Sequence, residues 1–361
     1  MTLRSTILLA VSPLVLALGA VTCGGDDDDA NESGSEEISS TVEEGDDTDS
    51  GPPASGTDSE PDASAEDDWS QLSPLPDGPR QELGVAALNG EVYTVGGFDS
   101  TGDITPIVEV YNPDSEEWRT VASVPTPMHH ANVAVAGGRL YVVGFETGPF
   151  VGDGRVFEYN PASNAWTEKT SMPMGTERGA SGVAVIDDLI YVAGGFRDGA
   201  AVSDFSRYDP ATDSWEVLPD LPSRLDHLTA GAIDGIFYTA GGRAGSIQSH
   251  TGETWAFDPA TNQWGRKADL PTSRAGIAGA VLNGKFYVFG GEGNFSDPSG
   301  VFNQVEAYDP VTDTWELVGT MESPRHGTGA AVIGSFICIP GGADVQAFGA
   351  VATADVFEPP D

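Results

Sequence analysis

The chain has 361 residues, with 56 acidic against 16 basic side chains and a formal charge of −40. Such a surplus excludes the nucleic-acid backbone as a partner, because phosphates are held by clustered Lys and Arg. Glycine (46) and proline (25) together make about a fifth of the chain, which excludes an architecture of long helices and points to many turns.

Arg4 is the only charge before an apolar run from Ile7 to Val21, and Ser12 and Pro13 interrupt that run. It is too short and too broken to span a bilayer, which takes about 20 apolar residues, so an export signal is expected over residues 1–23. The run ends at Ala20-Val21-Thr22-Cys23. This resembles a bacterial lipoprotein signal, although Ala20 and Thr22 stand where that family usually has Leu and a small residue. The resemblance implies lipidation of Cys23 and anchoring of an exported protein to the cell envelope. Plain secretion, with cleavage after Ala17-Leu18-Gly19, is the alternative. Residues 24–68 hold 18 acidic side chains and no Lys or Arg. Such a segment cannot bury enough apolar surface to offset its chain entropy, so a disordered tether is expected. Residues 69–361 then form the folded domain, with 38 acidic and 15 basic side chains.

That domain is one unit repeated six times. Glycine pairs stand at Gly96-Gly97, Gly194-Gly195, Gly241-Gly242, Gly290-Gly291 and Gly341-Gly342, with Gly144-Phe145 as the sixth member. Successive first glycines are 48, 50, 47, 49 and 51 residues apart. Tyr93, Tyr141, Tyr191, Tyr238 and Tyr287 each precede a pair by three residues. Each of the first five is followed by an aromatic residue and then a tryptophan: Tyr111/Trp118, Tyr159/Trp166, Tyr208/Trp215, Phe257/Trp264 and Tyr308/Trp315. A period near 50 with this signature resembles the kelch repeat. The resemblance covers residues 69–361 and implies an all-β fold: a six-bladed kelch-type β-propeller with four antiparallel strands per blade.

Local chemistry agrees. Asn89-Gly90 and Asn283-Gly284 suit tight hairpin turns, whose two central residues need positive φ. Asp-Pro at 209–210, 258–259 and 309–310 marks a turn before each outer strand. A four-stranded sheet cannot bury both faces alone; radial stacking covers them. The sixth unit has Phe357 but ends without its tryptophan, and Trp69 is left over at the other end. Trp69–Leu75 is therefore expected as the outer strand of the C-terminal blade, closing the ring and removing a free edge.

The start of each innermost strand carries the candidate chemistry. Arg80, Arg178, Arg274 and Arg325 stand at one register, Arg224 is one residue off, and His129 and His130 occupy the second unit. Two residues on come Glu82, His130, Ala180, His227, Gly276 and Gly327; His326 is one residue out of that series. Arg197 and Arg243 follow their glycine pairs on the same side. Together these residues suggest an Arg/His-ringed mouth for a carboxylate or sulfate. In kelch domains that bind acidic peptides, the resemblance carries ligand contact to Arg80, Arg178, Arg274 and Arg325; packing within the blade is the alternative for each. His130, His227 and His326 recur every second blade, as metal ligands could, but convergence across three blades of a wide mouth is not expected, so neither metal nor cofactor is expected.

Two functions remain open. One is a recognition module for a glycan, a peptide or an envelope or extracellular protein, with an anionic ligand suggested by the mouth, acting as a monomer that meets the membrane only through Cys23. The other is a sugar-processing enzyme. Six-bladed kelch propellers include sialic-acid epimerases, a likeness that suggests Arg80, Arg178, Glu82 and His227. The copper oxidase galactose oxidase also has kelch blades, which draws notice to Cys338; a core role in place of tyrosine is expected there. No nucleophile motif or phosphate-binding loop is present in the sequence, and the loops after the glycine pairs are short and even, so recognition without catalysis is favoured.

Overall fold

The computed structural model describes residues 68–360. The export signal with Cys23, and the acidic tether except for Asp68, lie outside the described residues. Among the described residues no helix is long and apolar enough to cross a membrane.

Six four-stranded antiparallel sheets follow one another in chain order. The first blade runs through Gly84–Leu88, Glu91–Val95, Val108–Asn112 and Glu117–Thr120. The next four repeat this order, from Val133–Ala136 in the second to Thr314–Thr320 in the fifth. The sixth combines Ala331–Ile333, Phe336–Pro340 and Ala354–Phe357 with Trp69–Gln71 as its outer strand. The closure expected from the unpaired tryptophan is thus present, with Trp69 opposite Phe357. The innermost hairpins use the expected left-handed pairs, Asn89 (φ 55°) with Gly90 (80°) and Asn283 (51°) with Gly284 (76°).

Two repeated contacts join the blades. In the first, the outer-strand tryptophan donates its indole N–H to the chain leaving the preceding blade: Trp166 to Ala122 at 2.8 Å, Trp215 to Thr170 at 3.0 Å and Trp315 to Ala268 at 2.9 Å. The same three residues give their backbone N–H to Asn164, Asp213 and Asp313. Those side chains also accept from Tyr159, Tyr208 and Tyr308. This explains why Tyr, Asn/Asp and Trp recur at fixed spacing: together they grip one residue of the neighbour at both of its polar backbone groups.

The second contact explains the glycine pair. The N–H groups of Gly97, Gly195, Gly242, Gly291 and Gly342 donate to the carbonyls of Met128, Leu225, Arg274, Arg325 and Arg80, at the start of the next blade. At Gly290 the approach is so close that a Cβ would collide with the Arg325 carbonyl, and φ is +56°. In the second blade Phe145 replaces the second glycine, and the Arg178 carbonyl accepts instead from Asn132 Nδ2 at 3.0 Å.

Apolar side chains of facing sheets fill the space between blades, for example Tyr93, Val95, Leu140, Val142 and Phe157 between the first two. Cys338 is fully buried beside Val92, Tyr111 and Val356, and burial pushes its thiol up to about 12. It is a core residue, as expected.

Candidate functional site at the axis

Six residues, one from each blade, close a ring of backbone hydrogen bonds at one end of the axis. His130 N–H donates to Glu82 O, Ala180 to His130, His227 to Ala180, Gly276 to His227, Gly327 to Gly276, and Glu82 to Gly327, all at 2.5–3.0 Å. All six have left-handed backbone: Glu82 φ 53°, His130 50°, Ala180 51°, His227 54°, Gly276 65° and Gly327 63°. Such φ suits the two glycines and strains the other four, and strain of this kind concentrates at functional sites. This is the register singled out in the sequence, and it sets Glu82, His130 and His227 on the axis.

The residues around them come from two further registers. Gln81, His129, Asp226 and His326 stand one position before the ring; Glu146, Arg243 and Glu292 directly follow the glycine pairs. Short antiparallel bridges tie the two sets, His129 to Glu146, Asp226 to Arg243 and Ala275 to Glu292. Asp226, Glu146, Glu292 and Gln81 were not among the residues expected from the sequence. Aligning the units on their glycine pairs would have found Glu146 and Glu292, because they share the register of Arg243.

The side chains form one connected cluster. His130 Nε2 lies 2.9 Å from His227 Nε2 and 3.1 Å from Glu82 Oε2. His130 Nδ1 meets His129 Nδ1 at 2.5 Å, and His129 Nε2 reaches the Gly148 carbonyl at 3.2 Å. His227 Nδ1 meets Asp226 Oδ1 at 2.6 Å. Arg243 is clamped between Asp226, at 3.0 Å, and Glu292, and its Nη2 sits 3.0 Å from His227 Nε2. His326 Nε2 reaches the Val345 carbonyl at 3.0 Å, which leaves its Nδ1 without a partner, 3.8 Å from Glu82 and 3.9 Å from Glu292.

Burial sets the electrostatics. It holds His130 well below the usual imidazole range, helped by the neighbouring His227 and His129, and it lowers His129 to about 4. Glu146 is fully buried with neither oxygen hydrogen-bonded, and burial raises its carboxyl to about 8. Asp226 moves the other way. Its desolvation is overcome by the hydrogen bond and charge of His227 and by Arg243, so it stays below the usual carboxylate range.

A cavity of about 110 Å³ opens above the cluster, lined by Glu82, His130, His227, Arg243, Glu292 and His326. Phe98, Phe150 and Phe348 form its apolar side. Below the ring the axial channel widens to about 200 Å³ between the innermost strands. Gly84 and Gly329 line it, and a Cβ at either would press on the neighbouring Val133 or Val85.

The expected arginine ring is corrected by this geometry. Arg80, Arg178, Arg274 and Arg325 are buried and turned into the blades. Arg80 donates to the Gly96 carbonyl at 2.9 Å and pairs with Glu109. Arg178 donates to the carbonyls of Gly194 at 2.8 Å and Val192 at 2.9 Å. Arg274 pairs with Glu306, and Arg325 with Asp355 at 2.6 Å. A long side chain leaving the strand start reaches the second and third strands of its own blade, so these guanidinium groups are spent on packing. Arg197 is held by Asp204 at 3.0 Å, and Arg224 is exposed with no ion pair to a described residue. Of the expected mouth residues, the structure brings together Glu82, His129, His130, His227, Arg243 and His326.

Residues 217–342 match the family model described as the KLHDC2/KLHL20/DRC7 Kelch-repeats domain, and residues 79–125 and 177–222 match the Kelch motif. The chain is similar to Kelch-like protein terF of Aspergillus terreus, 32% identical over 298 residues, covering 78% of this chain and 65% of that protein. Kelch-like protein 35 of Mus musculus is 33% identical over 44% of this chain and 26% of that protein. Kelch-like protein 23 of Homo sapiens is 26% identical over 73% of this chain and 46% of that protein. The chain thus spans less than two thirds of the length of these relatives. Among solved structures, that of YjhT aligns with a TM-score of 0.66 at 17% identity, covering 78% of this chain and 95% of that one, a likeness of fold. Repeats, blades and matches agree that the described chain is a kelch-repeat β-propeller.

Proposed function

We propose that the axial mouth binds a small polyhydroxylated ligand and processes it by proton transfer, as in the interconversion of sugar anomers. The observation that carries this is the convergence of His130 Nε2, His227 Nε2 and Glu82 Oε2 at the floor of the cavity. Anomer exchange needs one group to take the proton of the anomeric hydroxyl and another to protonate the ring oxygen, then the reverse. An imidazole pair sharing one proton beside a carboxylate supplies both. Arg243 lines the cavity and, with Asp226 and Glu292 already on it, would offer N–H donors to a ligand hydroxyl. The aromatic side, Phe98, Phe150 and Phe348, suits the apolar face of a sugar. The small, even loops that favoured recognition alone in the sequence carry less weight than this cluster, because the site is built from strand starts and needs no insertion.

The test is the rate of anomer exchange, followed by magnetization-transfer NMR on neutral and acidic sugars. Acceleration by the wild-type chain that disappears in Glu82→Gln and His227→Asn is expected. No acceleration of any sugar sends the reading to its alternative, recognition without chemistry. That alternative is favoured by the exposed Phe150, Val151 and Phe348 at the same rim. Export and anchoring through lipid on Cys23 belong to this proposal, with the propeller working outside the membrane as a monomer. Mass spectrometry of the mature N-terminus tests that part.

A further inference from the structure

We propose that Glu82, His130 and His227 bind one divalent transition-metal ion, through Oε and the two Nε2 atoms, with coordination positions left open toward the cavity.

The first step is the tautomers. The Gly148 carbonyl can only accept, so His129 Nε2 carries a proton and the neutral ring offers a lone pair at Nδ1. His130 Nδ1, 2.5 Å away, must then be the donor, which leaves the lone pair of His130 on Nε2. Asp226 accepts from His227 Nδ1, so the lone pair of His227 is also on Nε2. Arg243 Nη2, a donor only, approaches the same nitrogen and agrees with this assignment. Two unprotonated nitrogens therefore lie 2.9 Å apart, His227 Nε2 also receiving the Arg243 N–H, with the Glu82 oxygen 3.1 Å from His130 Nε2.

His130 Nε2 faces both other electron-rich atoms, and Arg243 Nη2 sits against His227 Nε2 alone, so a cation beside His130 Nε2 would relieve the repulsion. A proton on the line between the two nitrogens would satisfy both and leave the Glu82 oxygen facing His130 Nε2 with nothing between. A metal ion set off that line satisfies all three. Bonds of about 2.1 Å put cis ligand atoms of an octahedral ion roughly 3.0 Å apart, as His130 is from His227 and from Glu82, while Glu82 and His227 stand farther apart, within 4.8 Å, as ligands on either side of His130. Two imidazoles and a carboxylate, with other positions open, are a donor set for Fe²⁺, Mn²⁺, Co²⁺ or Zn²⁺.

The surroundings support the ligands. Asp226 and His129 hold the far nitrogens of the two imidazoles, the arrangement that fixes tautomer and ring angle in metal sites. The closed backbone ring holds the three Cα positions in left-handed geometry. Arg243, already offset by Asp226 and Glu292, would release the His227 Nε2 lone pair to the ion, and the two carboxylates hold its guanidinium when it does. His326, which the sequence grouped with His130 and His227, stands one residue before the ring, and Glu82 takes the third place.

The metal does not rest on the sugar reading, and it changes its chemistry. An ion here would polarise a ligand hydroxyl, and the shared proton would belong to the metal-free protein.

The full chain, stripped with chelator, is titrated with Co²⁺ by visible absorption and with Zn²⁺ by calorimetry. One ion per chain is expected, and X-ray absorption of the Co²⁺ form should count two imidazoles. Glu82→Gln and His227→Asn should each weaken binding about tenfold or more, and His250→Asn should leave it unchanged. Thermal melts check that each variant folds, and Glu82→Gln decides if His227→Asn does not. No saturable binding, fewer than two imidazoles, or affinity unchanged in Glu82→Gln would overturn the proposal. Sugar turnover by chelator-treated protein that binds no metal would remove the ion and keep the sugar reading. Metal binding without turnover would do the reverse.

Discussion

Trp69 pairs with Phe357 in antiparallel register, and its ring lies 5.0 Å from that of Phe357 and 6.2 Å from that of Phe289. The first described strand thereby completes the last blade, and the Trp69 indole also covers the fifth. Trp69→Ala removes this packing and loosens the pairing of Trp69–Gln71. A loss of about 2 kcal/mol is expected, read as a lower denaturant midpoint of one cooperative transition. An unchanged midpoint would mean that the ring closes without this strand.

Asp213 accepts from the Thr170 N–H at 2.8 Å and from the Tyr208 hydroxyl at 2.5 Å, joining the third blade to the second. The Tyr208 hydrogen bond, ahead of the Thr170 N–H, holds its carboxyl below the usual range. Its folded value is depressed, so its stabilisation is present above the unfolded value near ~4 and fades as pH falls through the folded one. Asp213→Ala should cost about 1–2 kcal/mol at neutral pH, and the difference from wild type should shrink in acid. Asp213→Asn, which keeps an acceptor and tolerates φ 52°, should cost less. Equal losses in the two variants would contradict this account.

Arg274 and Glu306 form a buried ion pair within the fifth blade, and Arg274 also donates to the Thr272 carbonyl at 2.9 Å. Removing the carboxylate strands the guanidinium, so Glu306→Ala should destabilise by about 3–5 kcal/mol. Ligand affinity of the remaining folded protein should not move, since neither residue lines the axial cavity. Affinity lost without loss of stability would restore Arg274 to the mouth.

Glu146 sets a stability profile of opposite sign. Burial, with no hydrogen bond to either oxygen, raises its carboxyl to about 8, and Glu82 and Asp226 add to the rise. The unfolded chain releases this proton near ~4.3, so its contribution is complete below that pH and is lost as pH rises to about 8. Chelator-treated wild type should lose melting temperature across that window, and Glu146→Gln should flatten the loss. A wild-type profile as flat as that of Glu146→Gln would show the carboxyl to be ionised in the fold.

Much of this architecture was legible because its signals are local and repeated. Asn89-Gly90, the glycine pairs and the Tyr–Trp spacing each specify a turn or a short strand, and six copies set the blade number. The leftover Trp69 then identified the clasp. The register of Glu82, His130 and His227 was legible too, from the same alignment of units.

Side-chain direction was not. Arg274 and Gly276 lie two residues apart, yet the Arg274 guanidinium turns into its blade while the ring position faces the axis. Carbonyls and a carboxylate of the same blade's second and third strands draw the guanidinium in, while left-handed φ at the ring is held by hydrogen bonds to neighbouring blades. Arg243 meets Glu292, and His130 meets His227 and Glu82, from different units, so these pairings exist only once the ring has closed. The amino-acid sequence by itself determined the repeat, the six blades and their closure, because turn chemistry and hydrophobic spacing act within a few residues. Only the tertiary structure decided which charges are spent inside the blades and which converge on the axis, because that choice is made by contacts between the strands of a blade and between segments brought together around the ring.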